Sequence, residues 1–319
     1  MHALSLPCNQ GTVLRYLLVL FALTILSSCN VVKRVKSGDY LITDNQILVD
    51  SVKNNNERIN NIIIQQENSG MGSVLGFPLK LHIYNLARPN IDSIIEANIL
   101  SDSLKVKRKT ALLSRKQFDK YLNTRRNFNR WLKRTGEPPT ILDESKTEKT
   151  ANNLRKYFYS QGWLDNEVTY DFEKDSTKRA KVTYLVTSNE PYILDSIKPI
   201  ISTPAIDSLY QIFSKESFLV KGEQYVEANF ERERSRINTY LRNSGFYHFG
   251  QDYISFVLDT IGTNKKINTE LIISDRTIRG DDSTTVRPFK KYTIREVNIF
   301  TDDNFDNRFK AISDTTVYA

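Results

Sequence analysis

The sequence predicts an α+β fold: tandem strand–helix–helix–strand–strand units, each a three-stranded mixed sheet with two helices on one face. Residues 192–276 spell out one unit in full, and the second half of that pattern recurs at 146–187. The opening strand recurs as well, because Tyr192, Leu194 and Ile197 align with Tyr292, Ile294 and Val297 as Tyr-x-apolar-x-x-apolar. Tyr40-Leu41-Ile42, followed by Ile47-Leu48-Val49, is a weaker third copy. The chain holds 16 Tyr and 16 Phe against 2 Met, a balance that suits strands with wet faces rather than a disordered polar tail.

Each element has a local cause. The strand from Tyr192 to Ile197 ends near Pro199, and Pro204 to Phe213 places Ile206, Leu209 and Phe213 at helical spacing. From Val226 to Leu241, Phe230, Ile237 and Leu241 share one face while Glu231, Arg232, Glu233, Arg234 and Arg236 line the wet one. Gly245 stands where a helix C-cap needs a left-handed residue. Tyr253 to Asp259 and Ile267 to Ser274 then alternate as two strands joined through Gly262-Thr263-Asn264. Upstream, Lys146 to Gln161 is a helix with Ala151, Leu154 and Phe158 inward, capped by Gly162. Asn166 to Glu173 and Ala180 to Thr187 form a hairpin around Lys174-Asp175-Ser176. The caps Gly162-Trp163 and Gly245-Phe246-Tyr247 place an aromatic at the same step after each helix.

The first unit starts near Tyr40, continues with a helix at Glu57 to Gln66, and resumes at Lys146, so about 69–144 is an insertion. In it, Gly70-Met71-Gly72-Ser73 leads into Leu79 to Tyr84. From Lys105 to Arg134, twelve basic residues face one acid, Asp119, and Phe118, Tyr121, Leu122, Trp131 and Leu132 supply an approximately helical apolar face. The expected organisation is a leader at 1–28, a first unit at 29–190 carrying the insertion, a second at 191–277, and the start of a third at 286–319. One strand and half a helix cannot bury an apolar face alone, so the chain reads as the front portion of a longer protein.

The leader carries Arg15 and then Tyr16 to Leu26, far shorter than the ~20 residues of a spanning helix. Leu26-Ser27-Ser28-Cys29 resembles a bacterial lipobox, in which the cysteine is acylated and becomes the new N-terminus. Cys29 is then the lipid attachment residue and, with Cys8 removed, the last cysteine left. That excludes a disulfide core, a cysteine metal site and a thiol nucleophile. The chain has 45 basic and 37 acidic residues, and the leader removes only Arg15 from that excess. Asn30 follows the cysteine, and the resemblance then implies the outer membrane, facing the periplasm.

A strand–helix–helix–strand–strand repeat behind a secretion signal resembles the POTRA (polypeptide-transport-associated) domain of the BamA/TamA superfamily of outer-membrane assembly factors. The segment Trp131-Leu132-Lys133-Arg134-Thr135-Gly136-Glu137-Pro138-Pro139-Thr140-Ile141 is similar to the W-L-[KR]-x-x-G-E-P-P stretch of TamL-type translocation and assembly module lipoproteins. Leu81-His82-Ile83-Tyr84-Asn85-Leu86 and Arg242-Asn243-Ser244-Gly245-Phe246-Tyr247 match that family as well. The likeness covers essentially the whole mature chain. It implies tandem POTRA-like domains that hold unfolded outer-membrane protein clients, with an inner-membrane or periplasmic assembly partner. Family members continue into a β-barrel, and here no series of ~10-residue alternating strands follows.

Binding fits the residues better than catalysis. His2 lies in the leader, and His82 and His248 read as surface imidazoles. Asp281-Asp282 and Asp302-Asp303 look like solvated loops, and there is neither a phosphate-cradling glycine loop nor a G-x-S-x-G elbow. The expectation is no enzyme, no cofactor and no metal. In POTRA domains the strand after the second helix is commonly an open edge, which implies client pairing at Asn166, Val168 and Tyr170, and at Tyr253, Ser255 and Val257. For the basic stretch, Lys107, Arg108, Lys109, Arg125, Arg126, Arg130 and Trp131 are the candidate membrane or partner contacts, a solvated face being the commonest fate of such a run. Nucleic acid is a poor partner for a lipidated periplasmic chain. The alternative function is a lipid-anchored periplasmic or surface binding module without an assembly role.

Overall fold

The computed structural model describes residues 31–69, 78–279 and 283–297. Cys29, the Gly70–Ser73 stretch, both aspartate pairs and residues 298–319 of the expected third copy lie outside them. The chain divides into two units, Met1–Lys156 with Glu167–Thr187, and Tyr157–Asn166 with Ser188–Ala319.

Unit 1 opens with β1 (Leu41–Val49) and a two-residue β2 (Val52–Lys53) folded back on its end. The helix expected at 57–66 is a single turn, α1 (Glu57–Asn60), capped by the Asn56 side chain on the Arg58 amide. The asparagines around it bond one another and their own backbone, Asn54 Nδ2 to Asn60 Oδ1 and the Asn56 amide to Asn54 Oδ1, which competes with helix growth. The insertion then folds as α2 (Leu79–Leu86), α3 (Ile91–Ile95) running into one π turn to Leu100, α4 (Ser103–Leu112) and α5 (Arg115–Thr135). The basic stretch is thus two helices, because Ser114 starts α5 with a capping box closed by Gln117. After α6 (Glu144–Ser160), β3 (Glu167–Lys174) and β4 (Arg179–Thr187) complete a sheet ordered β2-β1-β4-β3.

Unit 2 runs β5 (Ile193–Ile201), α7 (Pro204–Phe213), α8 (Glu227–Asn243), β6 (Ile254–Asp259) and β7 (Lys266–Ile273), with sheet order β5-β7-β6. A hairpin of β8 (Arg276–Arg279) and β9 (Thr284–Arg287) follows. Val286, where the third copy was expected to begin, sits in β9 opposite Thr277, and residues 288–297 carry no regular element.

The two units share a three-strand pattern, to which unit 1 adds β2 as a fourth strand where three were expected, because the chain folds back on the end of β1. In each, the first strand runs parallel to the last, and the second-last is antiparallel to it. Both parallel ladders slip register at the same step, between Ile42 and Asp44 and between Leu194 and Ser196. Both opening strands take an antiparallel bridge from the segment before the long helix, Leu41 to Ile141 and Ile193 to Gln224. The tandem α+β architecture rests on this shared topology.

In unit 2 the helices press Ile206, Tyr210, Phe213, Ile237 and Leu241 against Leu271 and Ile273 of the central strand. Inside lies a charge, which corrects the expectation of a wet Glu233: that residue is fully buried on the flank of the apolar face, and Arg236 grips it with Nε at 2.9 Å and Nη2 at 2.6 Å. Glu233 also accepts from the Phe218 amide at 3.0 Å, and Arg236 donates to the Phe213 carbonyl at 2.9 Å. The pair therefore pins the connection between α7 and α8. In unit 1, His82 corrects a sequence expectation. Helical spacing puts it on the buried face of α2 with Leu81 and Asn85, where a strand's alternation would have exposed it.

Two stability outcomes follow. Arg236→Met leaves Glu233 buried without its counter-charge and should cost about 3 kcal/mol in urea melts, whereas Arg236→Met with Glu233→Met should cost much less. Burial holds the His82 imidazole below its ordinary 6.5. The unfolded chain then takes up that proton first, so stability is complete above pH 6.5 and declines as the pH falls below it. His82→Gln should flatten the acid limb of a plot of Tm against pH.

Candidate functional site

The free backbone of each sheet is set by its register. In β3 the Asp175 amide donates to the Arg179 carbonyl, which fixes the odd-numbered residues as the ones bonded to β4. Val168, Tyr170 and Phe172 therefore turn their N–H and C=O groups outward. The Phe172 amide is already taken by Asp171 Oδ1 at 2.8 Å, and the Asn166 amide is spent on the Trp163 carbonyl. Glu167, Asp171 and Glu173 are exposed along the same strand, a charge row that discourages a second strand.

In β6 the Ser274 amide donates to the Tyr253 carbonyl, so Tyr253, Ser255 and Val257 point their backbone inward to β7. The outward groups belong to Ile254, Phe256 and Leu258 instead. Arg234 Nε caps the Ile254 carbonyl at 3.3 Å, leaving Phe256 and Leu258 as the open rim. Around it the side chains are apolar, with Val257, Leu258 and Ile261 exposed. The β6 rim thus offers a strand-addition site free of acids until Asp259. Sequence patterning located the strand, but only the ladder phase decides which alternate residues face out.

The Trp131–Ile141 segment is a splice between insertion and sheet. Gly136 ends α5 so near α2 that a Cβ there would stand 2.4 Å from the Tyr84 amide nitrogen. Glu137 then accepts from the Ser69 amide and hydroxyl, and Asn68 holds the Pro138 carbonyl and Thr140 amide. Gln65 clamps the Ile141 carbonyl and the Asp143 amide, delivering the chain onto the rim of β1. That covers the opposite edge of the unit 1 sheet.

The glycine caps share a second task. The Gly162 carbonyl accepts from the Tyr192 amide, and the Gly245 carbonyl accepts from the Tyr292 amide, each at 2.8 Å. Both glycines have φ near +100°, and an added Cβ would strike the Tyr225 and Tyr292 carbonyl oxygens at 2.4 and 2.6 Å. Three residues after each cap, Asp165 accepts from the Tyr192 hydroxyl, and His248 meets the Tyr292 ring edge-on. Lys265 also pairs with Asp165 and holds its carboxyl below the usual range.

Of the basic candidates, Lys107, Arg108, Arg125, Arg130 and Trp131 are exposed, and Lys109 and Arg126 are partly covered. Arg126 is paired with Asp92 at 2.6 Å. Lys109 and Arg125 both lie over the Tyr121 ring. Burial pushes the Tyr121 phenol up, but those two cations bring it below its ordinary value of 10.0. Trp131 sits outside the buried face of α5, which is made by Phe118, Leu122, Asn129 and Leu132. Among the described residues, no group of three His, Cys, Asp or Glu side chains could hold a metal ion, and no helix is long and apolar enough to cross a membrane.

The ladder phase is testable by proline placement. Leu258→Pro removes an outward N–H and should leave thermal stability nearly unchanged, whereas Val257→Pro strips the ladder and should cost about 1–3 kcal/mol by urea melts.

Neither a family model nor a curated protein matches the chain. Among solved structures, it is similar to BamA POTRA3–5 of Haemophilus influenzae at 18% identity and a TM-score of 0.28, over 42% of this chain and 55% of that one. The N-terminal domain of Omp85 from Thermosynechococcus elongatus gives 13% and 0.24, over 42% and 51%. POTRA1–2 of Omp85 from Anabaena gives 9% and 0.27, over 74% and 96%. The chain thus spans about half the length of the first two. Superpositions at this level carry no argument of their own; the tandem α+β topology stands on strand order and register.

Proposed function

We propose that this chain is the periplasmic arm of an outer-membrane protein translocation and assembly factor, held by lipid on Cys29 at the outer membrane. It is not an enzyme in this reading and needs no cofactor. Its partners are unfolded outer-membrane protein clients and an inner-membrane or periplasmic component of the assembly machinery. The reading draws on the lipobox, on the TamL-like Trp131–Ile141 segment, and on the tandem POTRA-like topology.

The observation that carries it is the open β6 rim. Phe256 and Leu258 present backbone donors and acceptors beside exposed apolar side chains, whereas the β3 rim is acidic and partly self-satisfied. An extended client pairs with such a rim through its backbone, so the site reads conformation rather than side-chain identity. That suits a protein meeting many unfolded barrel strands of different sequence.

The check is photocrosslinking of the full chain to peptides of alternating apolar and polar residues, with the probe at Ser255. Leu258→Pro should abolish the adduct while far-UV circular dichroism stays unchanged, and Tyr170→Pro should have little effect. An undiminished adduct in Leu258→Pro would show that clients do not pair with this edge.

A further inference from the structure

We propose that the exposed face of α5 (Arg115–Thr135) seats on an anionic phospholipid surface, as a second membrane contact beside the N-terminal lipid. The tether half of this inference rests on the lipobox reading; the face itself stands on described residues.

With Phe118, Leu122 and Leu132 buried, 100° per residue turns Lys116, Lys120, Arg130 and Arg134 to the opposite side of α5, all exposed. None of these four has an ion-pair partner among the described residues. Two other cations of the insertion are matched, Arg126 by Asp92 and Lys105 by Asp102. Unmatched positive charge therefore runs down one side of a 21-residue helix.

At its C-terminal end Trp131 lies about 60° around the helix from Lys116 and Arg134, with Phe128 on the flank beyond it. Phe128 and Trp131 are 59% and 46% exposed, and their rings stack at 5.8 Å with an 18° interplanar angle. Water is a poor partner for two adjoining aromatic faces, whereas the head-group layer takes the ring and the flanking cation together. Cations spaced along several turns match a continuous plane of lipid phosphates better than a single acidic pocket.

Chain connectivity points to the same occupant. Val31 is held in place, its carbonyl accepting from Asn85 Nδ2 on α2 at 3.0 Å. Cys29 precedes it by two residues in the sequence. The α2 helix packs on α5, and Gly136 at the end of α5 touches the backbone of Tyr84 on α2. An acyl chain on Cys29 would thus be attached two residues before a segment held on α2, the helix that packs against α5. A tether alone leaves the arm free to swivel; a basic, aromatic face beside it fixes the orientation.

The test uses the full-length chain in vesicles of phosphatidylcholine, with or without phosphatidylglycerol, bearing brominated acyl chains. The chain has 2 tryptophans, so Trp163→Phe leaves Trp131 as the sole emitter. Trp131 should be quenched in the anionic vesicles and not in the neutral ones, and added salt should reverse it. Joint replacement of Lys116, Lys120, Arg130 and Arg134 by Gln should reduce quenching to the neutral-lipid level with unchanged circular dichroism. Mass spectrometry of the N-terminal peptide reads the Cys29 acyl group separately. Quenching without the acyl group keeps the face and removes the tether. An acylated chain with Trp131 unquenched in both vesicles overturns the proposal, as does protection of Trp131 only by a co-purifying protein.

Discussion

The parallel ladder between the first and last strand of each unit is the constraint on which the rest of the structure depends. Parallel neighbours cannot be joined by a tight turn, so the chain must leave the sheet, cross over it and return. In unit 2 the crossover is filled by α7 and α8, and in unit 1 by α1, the insertion and α6. Because the last strand takes the centre, the strand before it is pushed to the rim. The exposed edge is thus a product of topology rather than of any residue in that strand.

The same constraint explains how unit 1 carries a long insertion. Loop-closure entropy rises only slowly with length, so the cost of the added helices is small once the sheet is closed. What matters is that the chain returns in register. Gln65 and Asn68 do this with side-chain hydrogen bonds to backbone groups of the returning segment, Glu137 does it by accepting from the Ser69 amide and hydroxyl, and Gly136 lets α5 end against α2. A conspicuous motif therefore has a structural explanation before any functional one is needed.

Two kinds of binding chemistry are segregated on this scaffold. The β6 rim offers neutral backbone groups framed by apolar side chains, which suits any extended partner. The α5 face offers unmatched cations and stacked aromatics, which suits an anionic surface. The β3 rim, although topologically equivalent to β6, has acidic residues and a self-capped amide. Repetition of a fold therefore does not repeat a function.

Periodicity alone was enough for the two described units: Tyr40 and Tyr192, the glycine caps, and both hairpins were legible because they are local patterns of period 2 or 3.6, whereas the strand expected from Tyr292 forms no regular element at 288–297. The identity of the edge strands was also legible, through resemblance. What it could not fix was the phase of each ladder, since one residue of slip exchanges inward and outward backbone without changing the alternation. Tyr253, Ser255 and Val257 face β7 for that reason, and Phe256 and Leu258 face out. Nor could it place His82, because a short apolar run fits a strand or a helix, and only packing decides which. The sequence determined the units, their order and their charge; tertiary structure alone decided which groups stay bare, because exposure depends on partners distant in the chain.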